Sequence, residues 1–336
     1  MSRLRVGVLM GGPSPEHEVS LASGRNVLAA LDPARYDAVP IEIPRTGPWF
    51  PRPSLDVVFI AMHGPFGEDG TIQGMLEFAG LPYVGSGVLA SALAMDKRRS
   101  RQLFGFNGIP TPGYLAVERD TFPSREPTLV SEIQQTLGFP CVVKPNAQGS
   151  SIGVSLAKDS EGLGPALDVA FGYDDVVLIE EYLRGTELTC GILDDLDRGT
   201  PAALPLVEIV PKREFFTYEA KYTPGAAEEI CPARLPWSAV WRAQSAALRA
   251  YRVLGCADFA RVDLFVREAD VAVLEVNTIP GLTEGSLYPR AARAAGIEMP
   301  ALVDRLIQVA LSRAARSPRP PQSPESSQSP QGARST

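Results

Sequence analysis

Two short apolar runs near the start of the chain restrict its architecture most. Leu4–Met10 and Asp56–Met62 each have the length of one strand, and each ends in a glycine turn, Gly11-Gly12 and His63-Gly64. Helical stretches follow, beginning near Glu18 and near Ile72. Strands alternating with helices build a mostly parallel sheet, which binds ligands at the carboxyl edge of its strands, where both glycine turns fall. The expected class for this part is α/β. Both histidines of the chain, His17 and His63, lie in these turns, as does Glu16. These groups are too few for a zinc site, so contact with a substrate is the expectation.

The rest of the chain divides at Pro110, Pro112 and Gly113, after a helical stretch from Ser91 to Arg101. A second unit reads as helix Leu129–Leu137, strand Cys141–Lys144, a loop over 146–153, strand Val154–Ala157, a helix near 161–171 and strand Val176–Glu181. A third holds strands Leu188–Leu193 and Leu204–Ile209, a polar loop from Pro211 to Pro232 and helix Ala239–Leu254. Strands Ala257–Val266 and Val271–Asn277 follow, then two helices, the last near Ala301–Ala315. Loops this long inside a compact domain are often lids, and 211–232 is the candidate. From Ser317 onward the chain is Pro, Ser, Gln and Arg with almost nothing apolar, so residues 317–336 are expected to be a disordered tail.

Composition removes several function classes. The net charge is −7, and no run of five Lys or Arg exists to grip a nucleic acid. No apolar run approaches a bilayer span and none reads as a secretory leader, so no membrane partner and a cytoplasmic location are expected. The four cysteines, Cys141, Cys190, Cys231 and Cys256, have no metal-type spacing and read as free thiols in a reducing compartment.

The pair Arg261-Val262-Asp263 and Glu275-Val276-Asn277 carries the strongest chemical signal. Side chains alternate along a strand. Packing the apolar sets together puts 262 opposite 276 and 264 opposite 274. Asp263 then faces Glu275, and Arg261 faces Asn277. Two facing carboxylates repel unless a divalent cation, which takes hard oxygen ligands, lies between them. A solvated hairpin face with an Arg–Asp pair is the alternative. Lys144 followed by the Gly/Ser loop to Gly153 suits phosphate oxygens, although a plain hairpin turn fits as well. Strand Val176–Glu181 ends in Glu180 and Glu181, where its backbone could read an adenine edge and Glu187 a ribose; a merely charged strand end is the other reading.

Taken in order, these stretches resemble D-alanine–D-alanine ligases. The resemblance rests on Gly11-Gly-Pro-Ser-Pro-Glu-His-Glu-Val-Ser20, His63-Gly-Pro-Phe-Gly-Glu-Asp-Gly70, Gly85-Ser-Gly87 with Met95-Asp-Lys97, and Lys144 to Gly153. Further matches are Glu180 to Glu187, Tyr218-Glu-Ala-Lys-Tyr222, Arg261-Val-Asp263, and Glu275 to Thr283 with Ser286-Leu287. They span residues 4 to about 312. The resemblance implies an ATP-grasp fold, α/β and α+β, preceded by an N-terminal doubly wound α/β domain. The implied units are an N-terminal substrate-binding domain over 1–90, a central lid domain over 91–184 and a catalytic domain over 185–316.

The same resemblance implies ATP and two Mg²⁺, with Mn²⁺ able to substitute, and a homodimer. It assigns ATP binding to Lys97, Lys144, Ser151, Glu180, Leu183, Glu187 and Lys221. It assigns the metals to Asp263, Glu275 and Asn277, with Glu275 bridging. Arg261 and the Gly281 N–H receive the oxyanion. Glu16 holds the ammonium of the first D-alanine with His63 nearby, while Ser286 and the Leu287 N–H hold the carboxylate of the second. Glu16, Ser150 and Tyr222 form a hydrogen-bonded set. Two departures, Ile279 and Gly285, bear on the fit of the second substrate. The implied product is D-alanyl-D-alanine, formed through D-alanyl phosphate for peptidoglycan synthesis. A D-lactate or D-serine acceptor, or a non-catalytic nucleotide-binding protein, are the alternatives.

Overall fold

The computed structural model describes residues 3–47, 49, 54–195, 199–211, 227–268 and 270–316. Three sheets organise it. The first is parallel, in the order β2-β1-β3-β4, from β1 (Leu4–Gly11), β2 (Tyr36–Ile43), β3 (Val57–Ile60) and β4 (Tyr83–Val84). Its crossovers are α1 (His17–Ala30) and α2 (Thr71–Phe78). The order reverses between β1 and β3. That is the switch point at which a doubly wound sheet opens a crevice, and the two glycine turns follow these two strands. Strand β2 carries Pro40 and, between its buried ends Tyr36 and Ile43, alternates half-buried and exposed positions at the sheet edge. An edge is where a residue without an N–H is tolerated; the sequence reading passed over this strand.

The second sheet is antiparallel, in the order β5-β8-β6-β7: β5 (Tyr114–Glu118), β6 (Cys141–Pro145), β7 (Ser155–Ala157) and β8 (Val176–Glu181). Its core packs against α5 (Phe122–Thr136) and α6 (Ser160–Phe171). Helix α5 starts seven residues before the expected Leu129, with Pro123 in the first turn, where its missing N–H costs nothing. The 146–153 loop joins antiparallel β6 and β7, so it is a hairpin connection whatever else it does.

The third sheet runs β12-β11-β9-β13-β14, with β10 on β9. It contains β9 (Thr186–Asp194), β10 (Pro201–Ala203), β11 (Val207–Pro211), β12 (Ala227–Ile230), β13 (Phe259–Arg267) and β14 (Asp270–Asn277). Strand β12 falls inside the segment expected to be a loop: it pairs with β11, Glu208 opposite Ile230. Residues 212–226, which include Lys221 and Tyr222, lie outside the described residues, as do 317–336.

Packing units do not follow the chain in simple intervals. The stretch expected as one helix from Ser91 is two, α3 (Val88–Met95) and α4 (Lys97–Phe106), broken at Asp96, whose carboxylate caps α4 by accepting from the Arg99 N–H at 2.9 Å. Ala94 and Phe104 from these helices are buried with α7 (Trp237–Leu254) and the third sheet. Helices α8 (Leu287–Ala294) and α9 (Met299–Arg316) instead bury Tyr288, Leu302 and Leu306 in the core of the first sheet. All four cysteines are free thiols. Among the described residues no helix is long and apolar enough to cross a membrane.

The expected register of β13 and β14 holds for three of its four pairs. Arg261 pairs with Asn277, Val262 with Val276 and Asp263 with Glu275. Beyond that the ladder shifts, and Leu264 pairs with Val273 rather than Leu274. A β-bulge inserts one residue and reverses the facing of those after it. Val273 is therefore fully buried in the third core, while Leu274 is turned toward a cavity. Alternation alone fits either face, so the bulge was not legible.

Candidate active site

Two adjoining cavities, of about 380 and 540 Å³, share Lys97, Gln148, Glu187, Asp263 and Glu275 in their walls. The smaller lies between the second and third sheets. Lys144 and Glu180 on β6 and β8 face it from one side, Phe265 and Leu274 from the other, and Ser151, Leu183 and Glu187 complete its rim. An apolar slot edged with charges suits a base with phosphates.

Charge in this slot is tightly organised. Glu180, 3 % exposed, sits 2.8 Å from Lys144 Nζ and 2.8 Å from Arg101 Nη1. Burial alone would raise the Glu180 carboxyl, but Arg101 and Lys144 together hold it below its ordinary value. Burial pushes the Lys144 amine down to about 8, against the support of Glu180. The Glu180 carboxylate is thus the counter-ion of two cations in the wall of the slot. Arg101 also donates to the Leu274 carbonyl on the bulge at 3.2 Å and lies over the Tyr114 ring. The sequence reading did not single out Arg101. It stands in the basic run Lys97–Arg101, and its partner is far away in sequence.

Lys97 opens α4 and reaches both cavities, with Nζ 2.6 Å from the Gln148 carbonyl and 3.3 Å from Glu275. Asn146 ties the same helix start to the 146–153 loop, its side-chain oxygen accepting from the Arg98 N–H at 2.8 Å.

The larger cavity gathers groups from all three sheets. Ser150 on the loop donates to Glu16, which precedes α1. Glycines make this approach possible: a Cβ on Gly64 or Gly149 would stand 2.7 or 2.8 Å from Glu16 Oε2. Arg261 pairs side-on with Asp263 through two 2.8 Å contacts. Burial would depress the Arg261 guanidinium, but Asp263 and Glu275 keep it above its usual value, so it stays charged. Both readings of the hairpin face therefore apply in part: the Arg–Asp pair exists, and Asp263 and Glu275 still face each other across the ladder.

Asn277 lines this cavity too, and its side-chain oxygen accepts from the Ile279 N–H at 3.0 Å. Among the described residues no three His, Cys, Asp or Glu gather as a metal cluster. Two carboxylates and an amide suit a hard cation that brings its remaining oxygen ligands with it, as Mg²⁺ does when carried on phosphates.

His63 and His17 behave differently. His63 lines the cavity with both ring nitrogens engaged: Nδ1 lies 3.1 Å from the Ile279 carbonyl and Nε2 2.8 Å from Ser23 Oγ. His17 turns back on its own loop, with Nδ1 2.7 Å from the Gly12 carbonyl, and does not line the cavity. Ser286 precedes α8, its hydroxyl 2.7 Å from Thr283 Oγ1 and accepting from the Thr283 N–H at 3.1 Å. Gly281, Gly285 and Leu287 are in the wall beside it. The Ile279 side chain is wholly buried in the first core and faces away. Glu68 and Glu229, not foreseen from the sequence, also line this cavity. Lys221 and Tyr222 lie outside the described residues.

Comparison with known proteins agrees with this geometry. The chain matches the family model described as D-ala D-ala ligase N-terminus over residues 5–54 and 51–86, and that for the C-terminus over 103–308. A curated D-alanine–D-alanine ligase of Desulforudis audaxviator is 47 % identical over 311 residues, covering 92 % of this chain and 99 % of the relative. One from Geobacter sulfurreducens is 46 % identical over 306 residues, covering 90 % and 93 %. Among solved structures, the D-alanine–D-alanine ligase of Coxiella burnetii superposes with a TM-score of 0.81 at 30 % identity, covering 94 % of this chain and 96 % of that one. The VanG D-Ala:D-Ser ligase of Enterococcus faecalis gives 0.80 at 32 %, covering 92 % and 100 %. The D-alanine–D-alanine ligase of Bacillus anthracis complexed with ATP gives 0.76 at 35 %, covering 93 % and 99 %. With both halves of the family model matched and relatives this similar along nearly their whole length, the chain belongs to the D-alanine–D-alanine ligase family.

Proposed function

We propose that this protein joins two D-alanine molecules into D-alanyl-D-alanine with ATP, supplying peptidoglycan precursor synthesis in the cytoplasm. The observation that carries the reading is the junction of the two cavities. A lysine-bearing slot for a nucleotide opens at Asp263 and Glu275 into a chamber holding Glu16, Arg261 and the start of α8.

A carboxylate cannot be attacked by an amine while its leaving group is oxide. In the first step the carboxylate of one D-alanine attacks the γ-phosphorus, the bond to the ADP oxygen breaks, and an acyl phosphate forms. Lys97 and Lys144, with Lys221 from the 212–226 segment, offset the charge of the two anions. Ser151, Glu180, Leu183 and Glu187 hold the nucleotide. Mg²⁺ held by Asp263, Glu275 and Asn277 would neutralise phosphate oxygens. Glu16, fixed by Ser150, receives the donor's ammonium, and Tyr222 joins this set.

In the second step the amine of the other D-alanine attacks the carbonyl carbon, the C–O bond to phosphate breaks, and the amine gives up a proton. Charge on the carbonyl oxygen passes to Arg261 and the Gly281 N–H. The acceptor carboxylate rests at the start of α8, on Ser286 and the Leu287 N–H, where unpaired N–H groups and the helix dipole favour an anion.

Incubation with ATP, Mg²⁺ and D-alanine tests this: one ADP and one phosphate are expected per D-alanyl-D-alanine. Absence of the dipeptide overturns the reading. The VanG neighbour makes D-serine the acceptor to set against D-alanine, and a mixture of the two, resolved by mass, decides between them.

A further inference from the structure

Helix α1 carries a polar seam that the mechanism above does not use. Ser20, Ser23 and Asn26 recur every three residues along it. Ser20 serves its own unit, accepting from the Gly11 N–H at 2.8 Å and donating to the Ala61 carbonyl at 2.8 Å. The next two reach across the molecule to the loop after β14. The fully buried Ser23 hydroxyl accepts from the Leu282 N–H at 3.2 Å and touches His63 Nε2 at 2.8 Å. Asn26 Nδ2 donates to the Leu282 carbonyl at 2.6 Å. His63 completes the clasp on the Ile279 carbonyl. Three side chains of the first unit therefore hold backbone groups on both sides of Gly281, in a loop that Asn277 on the Ile279 N–H and Ser286 on the Thr283 N–H also support.

We infer that Ser23 and Asn26 are positioning residues for the second chemical step: they set the Gly281 N–H where the carbonyl oxygen gains charge. The inference rests on the ligase reading above. Its physical basis is that an oxyanion donor contributes only when it is fixed beforehand, because reorienting a loop during the reaction forfeits the gain. The first step develops no charge on that oxygen. Loosening the clasp therefore slows capture of the acyl phosphate without slowing its formation, and the intermediate escapes and hydrolyses.

Three variants test this: Asn26→Ala, Asn26→Asp and Ser23→Ala. Asn26 is half-buried on a helix, and alanine raises helix propensity, so Asn26→Ala folds. The readouts are phosphate released per dipeptide, hydroxamate trapped by hydroxylamine from the acyl phosphate, KM for ATP and the melting temperature. The dipeptide rate should fall about ten- to a hundredfold, short of the loss of a whole oxyanion donor. Phosphate per dipeptide should rise clearly above one, hydroxamate should increase, and KM for ATP should stay within about twofold of the parent's. Asn26→Asp should be the worst of the pair, since its carboxylate meets the Leu282 carbonyl. A ratio of one in all three variants overturns the inference, whatever happens to the rate. A parent enzyme that forms no dipeptide would instead sink the ligase reading.

Discussion

The ion triad at the nucleotide slot predicts two opposite responses to charge removal. Lys144 lies 2.8 Å from Glu180, and Arg101 pushes on the same lysine from across the carboxylate. Two unit charges at that separation interact by about 6 kcal/mol at an effective dielectric constant of about 20, equivalent to about four pKa units. Glu275, which also supports the lysine's charge, and relaxation toward solvent should leave a shift of about one unit or more. Glu180→Gln keeps the shape and removes the support, so Lys144 should lose its proton below its present value of about 8. Arg101→Met removes the repulsion, so Lys144 should hold its proton to higher pH. A cation that binds phosphate weakens the complex when it deprotonates. Parent ATP affinity, titrated with Mg²⁺ and without D-alanine, should therefore fall above about pH 8. The onset should move down in Glu180→Gln and up in Arg101→Met. Glu180→Gln should also cost about 3–5 kcal/mol of stability, because it leaves two buried cations without their counter-ion, whereas Arg101→Met leaves Lys144 and Glu180 paired and should cost less. Onsets that stay fixed, or move the same way, would refute this account of the triad.

Other consequences follow from the cavities. Glu275→Ala should reduce ligation by more than tenfold, above about 1.4 kcal/mol of barrier, with the melting temperature little changed; ligation within tenfold of the parent would argue against a metal-binding role. The bulge separates two neighbours. Leu274→Ala should weaken ATP binding with little loss of stability, and Val273→Ala should cost about 1–3 kcal/mol of stability with ATP affinity retained; the reverse pattern in a calorimetric comparison would contradict the register. Gly149→Ala places a methyl 2.8 Å from Glu16 Oε2, so KM for D-alanine should rise while ATP affinity changes less. In the resemblance, a phenylalanine at Tyr222 goes with hydroxy-acid acceptors, so Tyr222→Phe should raise the share of D-alanyl-D-lactate when both acceptors are offered.

How much of this was legible in the sequence depended on the range of each interaction. The glycine turns after β1 and β3 announced their edge because strand, turn and helix are local signals. The facing of Asp263 and Glu275 was readable because both strands alternate up to that point. The shift one residue later was not, since a bulge leaves no periodic trace. Strands β2, β4, β5, β10 and β12 were passed over: β4 and β10 have only two and three residues, and β2, β5 and β12 are sheet edges, where half-exposed residues dilute the apolar pattern. Burial of Arg101 depends on Glu180, and the Asn26 contact spans 256 residues, so neither had a local signature. Of the two histidines, only His63 lines the cavity; position in a glycine turn did not distinguish a ring facing the chamber from one bonded to its own loop.

The central claim is that the carboxylate of one D-alanine attacks ATP before the second amine arrives. D-alanine labelled with ¹⁸O in its carboxylate tests this most directly, with the released phosphate read by mass or by phosphorus resonance. The account predicts that each phosphate formed with a dipeptide carries one oxygen from the donor carboxylate. Dipeptide formed with unlabelled phosphate would contradict the acyl phosphate, and with it the roles given to Lys97, Lys144, Arg261 and Gly281.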